Sequence, residues 1–127
     1  MERELASGEY CGLFGFSQGA MLAAVVAARA SLGEGVSPEK CGFAVICGAA
    51  VPKPFGPLFA RLPQAARAVP TLHCLARNDE TNPHESGETL AAFFGDSWTL
   101  WHEEAHRVPT NTPEAVEAIV DWMEGHM

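Results

Sequence analysis

The stretch Gly15-Phe16-Ser17-Gln18-Gly19 constrains this chain more than any other. An apolar run precedes it (Cys11, Leu13, Phe14, Phe16), and small and aliphatic residues follow from Ala20 to Ala28. The first pattern predicts a strand over residues 10–16. The second predicts a helix over 18–31, apolar nearly all round until Arg29 and therefore buried against a sheet. Between them lies room for a sharp turn, which reads G-x-S-x-G. A serine on such a turn is held in a strained backbone conformation with its hydroxyl clear of the sheet. Side chains at positions 15 and 19 are expected to crowd the turn, and glycine avoids this at both. The helix N-terminus carries free N–H groups and partial positive charge, so the N–H of Gln18 is placed to stabilise an oxyanion. The same pentapeptide is also ordinary turn punctuation in many chains. Its chemistry depends on an acid and a base downstream.

Bulk properties narrow the class. With 127 residues, 47% hydrophobic and 19% charged, the chain reads as one globular domain over 1–127, small for an α/β enzyme. A net charge of −8 argues against nucleic acid and anionic membranes as partners. The longest apolar run, 20–28, is too short to span a bilayer. Met1-Glu2-Arg3-Glu4 is charged, so no signal peptide is expected. The four cysteines (Cys11, Cys41, Cys47, Cys74) show no C-x-x-C pairing and read as reduced thiols of a cytoplasmic protein.

Along the chain, residues 2–8 read as the last turn of a helix ended by Gly8. After the Gly/Ser/Pro loop at 32–40, Phe43-Ala44-Val45-Ile46-Cys47 predicts a strand covered on both faces. Four prolines make 51–69 irregular, a lid or a plain surface connection. Thr71–Leu75 and Trp98–Trp101 predict two further strands. Asn82 is expected to cap a helix with Pro83 at its first position and Glu85 completing a capping-box-like pair. Thr112-Pro113 starts a last helix, with Val116, Ile119, Val120 and Met123 on one face. Strands alternating with helices imply a three-layer α/β/α fold with a mostly parallel sheet. Ligands bind such sheets at the carboxyl ends of the strands. Ser17, Asp79 and His106 each fall just past a predicted strand end.

That placement suggests roles. A serine hydroxyl needs a base, and imidazole titrates near neutrality. Asp79 would fix the tautomer of His106 and stabilise its cation. Plainer readings exist: Asp79 as a turn residue before a capped helix, His106 as a solvated loop histidine. His102, at the end of the same strand, is the rival base, although a strand residue points into packing or solvent more often. His73 is mid-strand, His84 is in a helix first turn, and His126 is in the tail. His102 and His106 with Glu103 and Glu104 also spell a metal cluster, but no second ligand group is evident, so no metal is expected.

Gly12-Leu13-Phe14-Gly15-Phe16-Ser17-Gln18-Gly19-Ala20 is similar to the G-V-L-G-F-S-Q-G-A of the FSH group of serine hydrolases, within the α/β-hydrolase superfamily, which includes LovG-type thioesterases. The likeness continues in Pro70-Thr71-Leu72-His73, with Asp79 at the acid position. It closes in His102-Glu103-Glu104-Ala105-His106-Arg107-Val108-Pro109, similar to H-x-x-G-H-x-V-P. Acyl-protein thioesterases share the G-F-S-Q-G elbow, and the His-x-Val-Pro ending favours the FSH group over them. The resemblance implies hydrolysis of small-molecule esters or thioesters by Ser17, Asp79 and His106 through an acyl-enzyme, with no cofactor. Ala76 and Ala105 stand where the family has glycine. The front strands and their oxyanion-donating loop have no counterpart in residues 1–10, so the implied α/β-hydrolase fold is N-terminally incomplete. An open edge at 10–16 then favours self-association or pairing with another chain. The alternative to an enzyme is an inactive hydrolase fragment serving as a binding module. An NAD- or nucleotide-binding protein is disfavoured, because there is neither G-x-G-x-x-G nor a P-loop lysine.

Overall fold

A computed structural model describes residues 11–37, 40–65 and 68–127. The helical turn expected over 2–8 lies outside the described residues. Among the described residues, four strands form one parallel sheet in the order β1 (Leu13–Phe16), β2 (Ala44–Cys47), β3 (Thr71–Ala76), β4 (Ser97–His102). The helices are α1 (Gln18–Ser31), the short α2 (Gly56–Ala60), α3 (His84–Ala92) and α4 (Pro113–Gly125).

The register sorts the side chains into two layers. Gly15, Ile46, His73 and Thr99 are aligned across the strands, as are Phe16, Cys47, Cys74 and Leu100. Successive residues of a strand point to opposite faces. One face packs Leu13, Ala44 and Ile46 against α1, Phe59 of α2 and Leu90 of α3. The other packs Val45, Cys47, Leu72 and Cys74 against Ile119 of α4. β2 and β3, the central strands, are buried at every residue, the polar Thr71 and His73 of β3 included.

Several expectations need correction. On α4 the buried stripe is Ala115 and Ile119, backed by Trp122 and Met123, while Val116 and Val120 are 39% and 44% exposed. The edge-on contacts of Trp122 with Phe43 and Trp98 go with this rotation of the helix. Segment 51–69 holds α2 and two 3-10 turns, Lys53–Phe55 and Leu62–Gln64. It buries Phe59 and Leu62 in the core, and Arg61 pairs with Glu34, so it is anchored on α1's side. On the edge strand β1, Leu13 and Gly15 are buried but Phe14 and Phe16 are exposed. No helix among the described residues is long and apolar enough to cross a membrane.

Candidate active site

All four strands run the same way, so the segments that leave them gather at one edge of the sheet. Ser17 directly follows β1 at φ 55°, a positive value unusual for a residue with a side chain. Its N–H donates to Cys47 O at 2.9 Å, and its carbonyl accepts the first helical bond from Met21 N at 3.0 Å. Packing explains Gly15: a Cβ there would strike the backbone of Gly19 and Ala20. The same argument fails for Gly19, where a Cβ would meet nothing within 4 Å. Gln18 is the first residue of α1, so its N–H has no partner within the helix.

The acid comes from the turn after β3. Asp79 is buried, and its Oδ1 accepts the N–H groups of Thr81 and Asn82, both at 2.9 Å. Its Oδ2 lies 2.8 Å from His106 Nδ1. A carboxylate only accepts, so Nδ1 carries the proton and Nε2 is left as an acceptor. His106 Nε2 lies 3.0 Å from Ser17 Oγ. The structure therefore brings Ser17, His106 and Asp79 into one hydrogen-bonded line. Phe16 packs on the imidazole with ring centroids 4.9 Å apart.

His102 takes no part in this line. It is buried, burial lowers its pKa against the opposing charges of Glu104 and Asp79, and its Nδ1 accepts Glu104 N–H at 3.1 Å. Glu104 turns the other way. Its carboxylate accepts Thr112 Oγ1 at 2.6 Å and Asn111 N–H at 3.2 Å, and these bonds hold its pKa below the usual carboxylate value. His73 lies within the core with its ring nitrogen 2.9 Å from Thr71 Oγ1, and burial pushes its pKa down to about 4.

Sequence reasoning missed the supporting residues. Asn82 does not cap α3, whose N-cap is Pro83 without a side-chain bond. Its Nδ2 instead donates to Gly48 O at 2.7 Å. Gly48 looks like a strand stop, yet its φ is +65° and a Cβ would sit 3.2 Å from His106 Nδ1. Asn78 reaches the loop after β4 with both ends of its amide. The signal available was the pair of asparagines around an aspartate in one polar turn. A cleft of ≈ 670 Å³ lies beside this turn, lined by Arg77, Asn78, Trp101, His102, Glu103 and Thr112. Arg77 lies over the Trp101 ring there, 3.9 Å from its centroid.

With the geometry in place, comparison gives the relatives. The family model described as serine hydrolase (FSH1) matches residues 4–118. Esterase OVCA2 of Bos taurus is 32% identical over 109 residues, covering 84% of this chain and 46% of that protein. The chain spans about half the length of the curated relatives it matches. Among solved structures, acyl-protein thioesterase 2 of Zea mays superposes with a TM-score of 0.72 at 19% identity, over 98% of this chain and 61% of that one. Esterase PE8 superposes with a TM-score of 0.68 at 19% identity, over 91% and 50%. These likenesses establish an α/β-hydrolase fold across the described sheet and helices.

Proposed function

The chain belongs to the serine hydrolase (FSH1) family, and from that premise we propose that it cleaves carboxylic esters, thioesters included, with Ser17 as nucleophile, His106 as base and Asp79 as its orienting acid. The observation that carries this reading is the continuous line Asp79–His106–Ser17, with 2.8 Å and 3.0 Å links, ending on a serine at φ 55°.

Ser17 Oγ attacks the carbonyl carbon while His106 Nε2 takes its proton. Asp79 stabilises the imidazolium. The N–H of Gln18, at the start of α1, donates to the oxyanion. The tetrahedral intermediate then expels the alcohol or thiol, which takes the proton from His106. Water, deprotonated by the same imidazole, releases the acid and regenerates the serine.

A second reading, a hydrolase fold acting as a binding module or completed along β1 by another polypeptide, draws on one observation. Phe14 and Phe16, 44% and 37% exposed, stand on an edge strand beside His106. Fluorophosphonate labelling separates the two. The expected result is labelling of the chain that vanishes in Ser17→Ala. A folded chain that does not label, or a Ser17→Ala variant that labels equally, sinks the hydrolase reading.

A further inference from the structure

The loop that carries His106 has an unusual backbone. Ala105 sits at φ 55°, in the left-handed region that a Cβ disfavours. His106 is the next residue, so the Ala105 dihedral sets where the imidazole points. Its two hydrogen bonds, to Asp79 and to Ser17, leave little slack. Some contact must hold this turn in its costly conformation.

Asn78 is in the right place. Its Oδ1 accepts the N–H of Ala105 at 3.1 Å, and its Nδ2 donates to the carbonyl of Glu103 at 3.1 Å. A carboxamide offers an acceptor and a donor side by side, and here the two ends span one turn of backbone. Asn78 also adjoins Asp79 in the turn after β3, so one short segment supplies both the acid and this bracket. The side chain is exposed and lines the cleft, so deleting it opens no hole in the core.

We infer that Asn78 is a positioning residue, whose amide clamps the Glu103–Ala105 turn in the left-handed conformation that aims His106 at Asp79 and Ser17. The inference rests on the proposed roles of those three residues. It predicts a specific coupling. Glycine adopts positive φ without penalty, so Ala105→Gly makes the turn less dependent on the clamp. Ala105→Gly relieves strain in any background, so the rescue that counts is of His106 geometry and reactivity in chains that are already folded.

The test is a double-mutant cycle on the full chain, Asn78→Ala with and without Ala105→Gly, with circular dichroism confirming the fold. Two signals are read. One is the rate constant of fluorophosphonate labelling. The other is the downfield proton resonance of the His106 Nδ1–H···Asp79 bond, which needs no turnover. Asn78→Ala is expected to broaden or remove the resonance and to slow labelling about ten- to hundred-fold, the scale of a misaimed catalytic group. Adding Ala105→Gly is expected to restore most of both. Asn78→Asp keeps an acceptor for the Ala105 N–H but loses the donor, and should fall between. Wild-type behaviour of Asn78→Ala in both signals overturns the clamp, and so does a defect that Ala105→Gly leaves untouched. If the resonance follows the cycle while no variant labels, the clamp stands and the hydrolase reading falls. If labelling requires Ser17 and the resonance ignores Asn78, the clamp falls alone.

Discussion

The two halves of the site are held by different forces. Ser17 is fixed by backbone and packing. Its N–H is tied to β2, its carbonyl starts α1, and nine residues of α1 are buried against the sheet. His106 is fixed by polar side chains reaching across loops: Asp79 on its ring, Asn78 on the turn before it, and Glu104 on the segment leading to α4. Apolar packing contributes to the first half in proportion to area and is indifferent to charge. Single hydrogen bonds contribute modestly each, but the geometry of the His106 ring depends on all of them. Substitutions in the serine half should therefore show first in stability, and those in the histidine half first in rate.

The largest expected effect tests the packed half. Gly15→Ala drives a methyl into the Gly19–Ala20 backbone, which has no flexible end to yield. It should cost about 3 kcal/mol or prevent folding, as overpacking in tight cores does. Gly19→Ala, four residues on in the same motif, meets nothing within 4 Å. In a helix that change should stabilise by about 0.5–1 kcal/mol. Urea unfolding of the two variants checks the contrast. Equal losses would mean that the elbow is not held by close approach at Gly15.

The same contrast explains what the sequence could reveal. The packed half was legible because its forces are local or periodic. The apolar runs predicted all four strands, and the helix over 18–31 appears with those limits. The three residues past the strand ends were legible for the same reason, since parallel strands deliver them to one edge. Asn78 and Asn82 were not, because their partners are Glu103, Ala105 and Gly48, far along the chain. A capping signature at Asn82 pointed to the nearest helix, and the longer-range bond won. The α4 stripe misled because Val116 and Val120 satisfy helical spacing as well as Ala115 and Ile119 do. The packing of Ile119 on the sheet and the aromatic contacts of Trp122 go with the face that is buried. The prolines of 51–69 hid three short helical turns, because proline is tolerated at a helix start.

Charge offers a second way to break the comparison, within the packed body itself. His73 is buried there with its pKa pushed down to about 4. The unfolded chain protonates this group near pH 6.5 and the folded one does not until about 4. Its contribution is therefore fully present above 6.5 and is lost as pH falls from 6.5 towards 4. The loss amounts to about 3 kcal/mol by pH 4. His73→Gln retains a partner for the Thr71 hydroxyl but cannot titrate. Urea unfolding from pH 7 to 4 should show a shallower fall for this variant. Parallel curves would place the acid sensitivity elsewhere.

The smallest effect belongs to the far end of the histidine loop. The Glu104 carboxylate gathers Thr112 Oγ1 and Asn111 N–H and so ties the loop to the start of α4. Glu104→Gln keeps one carbonyl acceptor, so the tie weakens without vanishing. It also lies two residues from His106, where Asn78 holds the adjoining turn independently. Labelling by fluorophosphonate should slow by about three-fold, in keeping with the loss of charge assistance from one set of bonds near the surface. The pH dependence gives the sign. Glu104 is held below the usual carboxylate value, so its tie is intact above that value and is lost only as pH falls through the lowered one. Wild type and Glu104→Gln should therefore differ in urea stability near neutrality and converge in strong acid. If Glu104→Gln slowed labelling as much as Asn78→Ala, His106 would be held by the whole loop rather than by the turn beside it. The contrast between a packed Ser17 and a clamped His106 would then need redrawing.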